Sequence, residues 1–214
     1  MARLSRKDIL QDFRSRSLLE ATRRIIATEG FDAVTMERVA RRAGIAKGGI
    51  YLYFRNKDQM ILAALEAIAS EMLREIETQV DPHVDAWARL CQLVRAQMEA
   101  MERHKDILRT LLLVRWQMSD RRERKKWRRL LQYRERHLGR LKAILDEGLK
   151  QKVFHPIDTA AAAFYINEMT ISTAQRRVMG FSQSSLEGDT QGLIRFIAGL
   201  LSDKKSLNRS QENI

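Results

Sequence analysis

The sequence contains little cysteine and little proline, and both shortages narrow the class of protein. Cys91 is the one cysteine among 214 residues, so no disulfide can form within the chain, as is typical of a reducing compartment. Only Pro82 and Pro156 interrupt the chain as prolines, and no alternating strand pattern bounded by hairpin turns is present. Apolar residues recur at helical spacing instead. The sequence therefore predicts an all-α fold.

Long apolar runs and the common catalytic motifs are also missing. No stretch of about 18 apolar residues is present to span a bilayer, and the N-terminus lacks the apolar core of a secretion signal. No glycine loop precedes a Lys-Ser or Lys-Thr pair, and no GxSxG sequence occurs. The histidines are scattered without metal-ligand spacing. We therefore expect a cytoplasmic protein that is not an enzyme, with no catalytic residues, no metal site and no cofactor.

Positive charge is abundant and lies in two blocks. The formal net charge is +12, with 13 basic and 6 acidic residues in 1–57 and 11 basic and 2 acidic residues in 121–142. The first block favours an anionic partner such as DNA, and it includes a basic N-terminal arm, 1–12, which either contacts DNA or is a solvated tail. The second block is open to three interpretations: a solvated face, a second contact with DNA or a membrane, or an entry for an anionic ligand.

The run from Thr35 to Lys57, TMERVARRAGIAKGGIYLYFRNK, predicts a helix, a glycine turn, a second short helix and the start of a third. Thr35 is placed to cap the first helix, and Gly44 follows it where glycine adopts a left-handed conformation at little cost. The second helix, 47–54, carries two adjacent glycines, each of which weakens a helix by roughly 1 kcal/mol relative to alanine. Close approach of the backbone to DNA is a reason to omit these side chains.

The outer side of this second helix suits contact with DNA. Lys47 supplies charge, as does Lys57 at the start of the third helix, and the phenols of Tyr51 and Tyr53 supply donors for phosphate and rings for thymine methyl groups. Alternatively, the tyrosines are ordinary amphipathic residues at the border of a core. The combined spacing favours a helix-turn-helix that reads DNA.

Together, Thr35, Ala43 to Gly48, Ile50-Tyr51, Tyr53-Phe54 and Asn56-Lys57 resemble the DNA-binding domain of the TetR (tetracycline repressor) family. The resemblance implies an N-terminal three-helix DNA-binding domain at 13–57, extended by a connector helix to about residue 76, and a C-terminal helical domain at 77–202 for effector binding and dimerisation. It implies a homodimeric repressor that binds a palindromic double-stranded DNA operator and is released by a small-molecule inducer. The positions that usually touch the operator correspond here to Thr35, Ala46, Lys47, Gly48, Gly49, Tyr51, Tyr53 and Lys57.

Two of these positions depart from the family pattern. Ala46 replaces a commonly seen serine and removes a hydroxyl group that would bind phosphate. Gly49 offers no side chain for reading bases. The remaining side chains, the arginines and the arm would therefore have to provide specificity.

Beyond the helix-turn-helix, capping and apolar periodicity predict a series of helices. We expect a connector capped by Asp58, helices at 105–118, at 120–152 and from Pro82 onward, an Asp158-capped helix to about residue 179, and a last helix at 191–201. The linker at 181–189 is predicted to be polar and mobile, and 203–214 to be a disordered tail. The last two helices resemble the family's dimer interface, with packing inside one chain as the alternative.

Effector contacts are predicted from residues that combine adaptable apolar bulk with a few polar tips. For each of them ordinary core packing is the alternative. The candidates are Trp87, Met98, Met101, Leu112, Trp116, Tyr133, His137 and Phe164. Two other functions remain open from the sequence: a sequence-tolerant architectural DNA-binding protein, and a helical small-molecule carrier with a vestigial helix-turn-helix.

Overall fold

The computed structural model describes residues 6–106, 108–109 and 124–201, and their regular structure is helical throughout. The all-α prediction is confirmed. None of the described helices is both long and apolar enough to cross a membrane. The elements are α1 (Arg6–Glu29), α2 (Met36–Arg42), a 3₁₀ turn (Gly49–Leu52), α3 (Lys57–Thr78), α4 (Ala86–Arg103), α5 (Arg124–Lys150), α6 (Thr159–Val178) and α7 (Leu186–Leu201).

The chain divides into two compact units. The first, which we call the head, consists of residues 1–70 and 106–130, and the second, the C-terminal unit, consists of residues 71–105 and 131–214. The divisions fall within α3 and within α5.

Apolar side chains from every element of the head form its core. Helix α1 packs on α2, and the 3₁₀ turn also contacts α2. Arg38 fixes the start of α2, because its guanidinium group donates to the Ala33 carbonyl oxygen at 3.2 Å and pairs with Glu29 at the end of α1. The core residues include Leu18, Ile25, Ile26, Val34, Val39, Ile50, Phe54, Met60 and Leu65.

Hydrogen bonds at the helix ends confirm one predicted cap and correct another. The hydroxyl oxygen of Thr35 accepts from the Arg38 amide at 3.2 Å, as predicted. Helix α3, however, is capped by Asn56, whose Oδ1 accepts from the Gln59 amide at 2.9 Å, while Gln59 Oε1 accepts from the Arg55 amide at 2.8 Å. This reciprocal arrangement requires a Glu or Gln three residues after the cap, which Asn56 has and Asp58 lacks.

The predicted helix at 47–54 is wrong in type and in length. The structure has a single 3₁₀ turn, Gly49–Leu52, in its place. Gly48 and Gly49 account for the shortening. Glycine loses more backbone freedom than other residues when it enters an α-helix, and short segments close readily as 3₁₀ turns. Ile50 and Phe54 are buried, as predicted.

Other predicted boundaries shift for local reasons. The segment 6–12 belongs to α1, so the arm prediction is wrong there. Helix α4 begins after Asp85, whose carboxylate accepts from the Ala88 amide at 2.7 Å, rather than near Pro82. The Asp158 cap is confirmed, since the carboxylate accepts from the Ala160 and Ala161 amides at 2.9 and 3.1 Å. Most of the predicted helix 105–118, the start of the helix at 120 and the tail 203–214 lie outside the described residues.

The linker between α6 and α7 is shorter than predicted. Helix α7 begins at Leu186 rather than at residue 191, and Asp189 in its first turn is buried. Ser182, Arg176 and Arg177 all donate to the Asp189 carboxylate, at 2.6, 2.8 and 2.8 Å. Burial raises the pKa of Asp189, but these hydrogen bonds outweigh burial and lower the pKa below its ordinary value. A buried carboxylate with two arginines therefore fixes the α6–α7 connection.

Helices α4, α6 and α7 contact one another in the C-terminal unit, and the second half of α5 shares their core. The end of α5 depends on a glycine, because the Phe154 ring folds back over Gly148 and the Phe154 amide donates to the Gly148 carbonyl oxygen at 3.3 Å. A Cβ atom on Gly148 would lie 2.1 Å from that ring. The buried core residues include Leu90, Leu93, Val94, Leu141, Ile144, Leu145, Phe154, Ile166, Leu193 and Ile197.

Two glycines in α5 make a matched test of this contact. Gly148→Ala should destabilise the protein by about 1–3 kcal/mol, because the new methyl group overpacks against the Phe154 ring. Gly139→Ala, with nothing within 4 Å of its added Cβ, should instead stabilise the helix by up to about 1 kcal/mol. Thermal unfolding followed by circular dichroism compares the two variants. Equal melting temperatures would contradict the close contact.

Candidate nucleic-acid interface and buried polar cluster

The exposed surface of the head between α2 and α3 holds most of the residues predicted to contact DNA. We call it the reading turn, residues 45–53. Gly44 reverses the chain with φ of 67°, and the Ile45 amide donates to the Ala40 carbonyl oxygen at 2.9 Å, which closes α2. Ala46, Lys47 and Gly48 follow and are all exposed. Five predicted residues, Ala46, Lys47, Gly48, Gly49 and Tyr51, therefore lie on one short segment whose side chains are exposed or half-exposed, apart from buried Ile50.

Lys47 already has a partner in the head. Its ammonium group lies 3.2 Å from Glu37 Oε2, and both side chains are more than 60% exposed. Such exposed pairs contribute only about 0–1 kcal/mol, so a phosphate can replace the carboxylate at little cost. Glu37 was not predicted as a site residue, and it holds Lys47 beside the start of α2.

The two glycines of the reading turn differ in what surrounds them. A Cβ atom on Gly49 would lie 3.1 Å from Ile45 Cγ2, so internal packing favours a glycine there. A Cβ atom on Gly48 would meet nothing within 4 Å, and the φ of this residue is −70°, which any amino acid adopts. Packing therefore explains Gly49 and leaves Gly48 with no structural reason inside the head.

Tyr51 and Tyr53 lie in the second half of the reading turn, and Thr35 and Lys57 lie outside it at the starts of α2 and α3. Tyr51 is 53% exposed, Tyr53 is half-buried, and Lys57 is half-buried in the first turn of α3. Thr35 is exposed, and although its oxygen accepts from the Arg38 amide, its hydroxyl proton is still available to donate. The sequence analysis overlooked Leu52, which is 81% exposed.

The described residues among those predicted to bind an effector lie on three helices, α4, α5 and α6. Trp87 packs edge-to-face against Phe154, with ring centroids 6.4 Å apart. Phe164 is exposed on α6, where the Arg134 guanidinium group lies 5.5 Å from its ring centroid. Met98 and Met101 are buried on α4, Tyr133 and His137 lie half-buried and buried on α5, and Leu112 and Trp116 lie outside the described residues.

His137 belongs to a buried polar cluster that the sequence analysis did not find. Gln97 on α4, His137 on α5 and Asn167 on α6 are each more than 90% buried. His137 Nε2 lies 3.0 Å from Gln97 Oε1, and Gln97 Nε2 lies 3.1 Å from Asn167 Oδ1. In the sequence, the only signal of this cluster is a polar residue within the apolar pattern of each helix. Spacing along the chain does not reveal which three helices pack together. We call these three residues the polar cluster.

The direction of these hydrogen bonds follows from the carboxylate at their end. Glu168 can only accept, so Asn167 donates from Nδ2 to Glu168 Oε1 at 3.3 Å and turns its Oδ1 to Gln97. Gln97 then donates from Nε2, and its Oε1 accepts from His137 Nε2. His137 Nδ1 is therefore an acceptor, and this buried atom has no hydrogen-bond partner among the residues that the structure describes.

His137 carries no charge at neutral pH. Burial lowers the pKa of His137 from its ordinary 6.5 to about 4, because the interior disfavours the imidazolium form. The cluster is thus an uncharged set of donors and acceptors, and one acceptor has no partner within the described ranges, which is unusual for a buried polar group.

Ion pairs occupy the described part of the basic block at 121–142. Arg129 pairs with Glu66 at 3.4 Å in the head. In the C-terminal unit, Arg136 and Arg140 both pair with Glu77, at 3.3 and 2.8 Å. Two carboxylates thus offset part of the charge of these three exposed arginines, which favours the interpretation as a solvated, ion-paired face.

Both parts of the chain match models of one protein family. Residues 18–64 match the model described as bacterial regulatory proteins, tetR family, and residues 83–175 match the model of a tetracyclin repressor-like C-terminal domain. YfiR, an uncharacterized HTH-type transcriptional regulator of Bacillus subtilis, is 28% identical over 167 residues, which are 73% of this chain and 77% of YfiR.

Solved structures share the fold. A putative transcriptional regulator from Saccharomonospora viridis in complex with choline superposes with a TM-score of 0.78 and 22% identity, over 91% of this chain and 100% of that one. FadR from Bacillus subtilis in complex with stearoyl-CoA superposes with a TM-score of 0.72 and 18% identity, over 85% and 96% of the two chains. With its helix-turn-helix head and its helical C-terminal unit, this chain belongs to the TetR family of DNA-binding transcriptional regulators.

Proposed function

We propose that the protein is a homodimeric repressor that binds a palindromic operator through two heads and leaves it when a small-molecule inducer binds. The observation that carries the proposal is the exposed reading turn, held in place by buried Ile50 and Phe54. It supports a DNA-binding domain at 13–57, extending to about residue 76, and an effector and dimerisation domain at 77–202. The proposed operator contacts are Thr35, Ala46, Lys47, Gly48, Gly49, Tyr51, Tyr53 and Lys57.

The exposed side of α6 and α7 supports the dimer. Large apolar side chains on and beside these helices are 43–71% exposed, which is an unusual concentration for a surface that faces water. A second copy of the same surface would cover them around a two-fold axis, as four-helix interfaces do. The Asp189 contacts fix the connection between the two helices. The residues are Phe164, Tyr165, Met179, Phe181, Phe196 and Leu200.

The effector site proposed here centres on the polar cluster. Met98 and Met101 on α4 add buried, adaptable apolar surface. The related structures hold ligands as different as choline and stearoyl-CoA, so the shared fold alone does not select a ligand. The uncharged cluster does narrow the choice, since His137 Nδ1 would accept from a hydroxyl or amide group of the inducer.

Release requires only that the inducer bind one conformation of the dimer more tightly than another. An inducer with a tenfold preference shifts the equilibrium by about 1.4 kcal/mol towards a state whose heads no longer match the operator. Binding and release are the whole proposed activity, and the proposal includes no catalytic step. A regulator of this kind works where the genomic DNA lies, so we place it in the cytoplasm with the nucleoid.

Selection from genomic fragments tests this function directly. The full-length protein is expected to enrich a palindrome whose half-sites lie about one helical turn apart, roughly 34–36 Å, with protection of both half-sites in a footprint.

Phe196→Arg, which places charge on the proposed dimer face, should give a monomer by light scattering and weaken operator binding. Phe13→Arg, at an exposed position on α1, controls for charge and should remain dimeric.

The same selection separates the two rival functions. An architectural DNA-binding protein would show a specificity ratio near one between the enriched site and random DNA. A small-molecule carrier with a vestigial helix-turn-helix would bind neither a selected site nor random DNA. Either result would overturn the proposed repressor.

Gly48→Ala tests how closely the backbone approaches DNA. The protein should fold with an unchanged melting temperature, because the new methyl group meets nothing within the head. Operator affinity should fall about tenfold if the methyl group displaces a single phosphate hydrogen bond. Gel-shift titration measures the loss, and Gly139→Ala in α5 serves as the matched control. Unchanged affinity would place Gly48 away from the DNA.

The buried state of His137 predicts a pH dependence of stability. Its pKa is lower in the folded protein, about 4, than the ordinary 6.5, so the unfolded chain takes up a proton in this range while the folded chain does not. Stability is therefore complete above pH 6.5 and falls as the pH decreases towards 4. His137→Gln keeps a donor for Gln97 but cannot titrate, and should flatten this part of the curve. Urea unfolding at pH 7.5 and at pH 5 gives the free energy of unfolding of each protein. If this free energy fell equally with pH in the wild type and in His137→Gln, the result would contradict a buried, neutral imidazole.

A further inference from the structure

Leu52 is the most exposed of the large apolar side chains that the structure describes. It lies at the end of the 3₁₀ turn and is 81% exposed, although its neighbours Ile50 and Phe54 are buried. Leaving a leucine in water forgoes the roughly 1.5–3 kcal/mol that burial of such a side chain contributes. A single exposed leucine is common on protein surfaces, so its position within the reading turn is what gives it meaning.

The turn holds Leu52 in this exposed position. Burial of Ile50 and Phe54 on either side fixes the rotation of the segment about its own axis. In a 3₁₀ turn, side chains three residues apart lie on the same side, which pairs Leu52 with Gly49. Gly49 has no side chain to cover Leu52, and adding one would bring its Cβ atom to 3.1 Å from Ile45 Cγ2.

Hydrogen-bonding side chains are few within the reading turn. Ala46, Gly48 and Gly49 have no polar side-chain atoms, so within residues 45–53 only Lys47, Tyr51 and Tyr53 have side chains able to donate, and Tyr53 is half-buried. Lys47 is paired with Glu37, and as a flexible point charge it suits phosphate better than a base edge. A surface of this composition has few ways to distinguish bases by hydrogen bonds.

Among the base edges that DNA presents in the major groove, the C5-methyl group of thymine is the apolar group that a leucine can recognise. We infer that the Leu52 side chain packs against a thymine methyl group in each half-site and so selects thymine at that position. The inference rests on the proposed function, since it requires the reading turn to enter the major groove. Leu52 is then a specificity residue that adds discrimination between bases, while Lys47 and the tyrosines hold the phosphates.

Deoxyuridine substitution isolates the methyl group, because uracil keeps every hydrogen-bonding atom of thymine and lacks only that carbon. In the operator found by selection, each thymine is replaced in turn and the affinity of the full-length protein is measured by fluorescence anisotropy. At one thymine in each half-site, replacement by uracil should lower the affinity about fourfold per half-site. This loss corresponds to one buried methyl group.

Variants assign the effect to Leu52. Leu52→Ala should bind the thymine operator more weakly and should show no further loss with uracil at the sensitive position. Tyr51→Phe, which removes only a hydroxyl group, is the matched control and should keep the fourfold loss. If uracil is tolerated at every position, or if Leu52→Ala remains sensitive, the inference is overturned while the operator itself stands. Failure of the proposed function would appear earlier, as the absence of any enriched site.

Discussion

Burial of Ile50 and Phe54 in the core of the head is the constraint on which the reading surface depends. Ile50 is 0% and Phe54 6% exposed, and the 3₁₀ turn that carries Ile50 contacts α2. Because they flank the segment 51–53, they determine which side chains of that segment face water. The segment needs no regular α-helix to be rigid, since its two ends are fixed by packing and the Asn56 cap begins α3 immediately afterwards.

The glycines follow from the same constraint and have different causes. Gly44 is required by its left-handed φ of 67°, where other residues are strained. Gly49 is favoured by the proximity of Ile45, which fills the angle between α2 and the turn. Gly48 has neither reason. A sequence motif that reads as one glycine-rich signal thus separates into a backbone requirement, a packing requirement and one position left for the partner.

Local sequence chemistry predicted much of the head and less of the C-terminal unit. Thr35, Gly44, Ile50 and Asp158 behave as predicted, because capping, left-handed turns and short-range periodicity depend on neighbours in sequence. Asn56 was missed because the pattern at Asp58 also suits a cap, and only the Gln59 side chain decides between them. The polar cluster could not be predicted, since Gln97, His137 and Asn167 are brought together by helix packing alone.

A chain of hydrogen bonds connects the interior of the C-terminal unit with its exposed apolar side. Starting at His137, it passes through Gln97 and Asn167 to Glu168, which also accepts from Arg134 at 3.0 Å. Each side-chain amide has a donor end and an acceptor end. Because Glu168 can only accept, it fixes the orientation of the Asn167 amide, which fixes that of Gln97 and then the tautomer of His137. A donor placed against His137 Nδ1 would strengthen the same polarity, whereas an acceptor would require the imidazole to change tautomer and Gln97 to turn. The surface ion pair beside Phe164 therefore helps to set the direction of the hydrogen bonds that leave Nδ1 of the buried histidine as an acceptor.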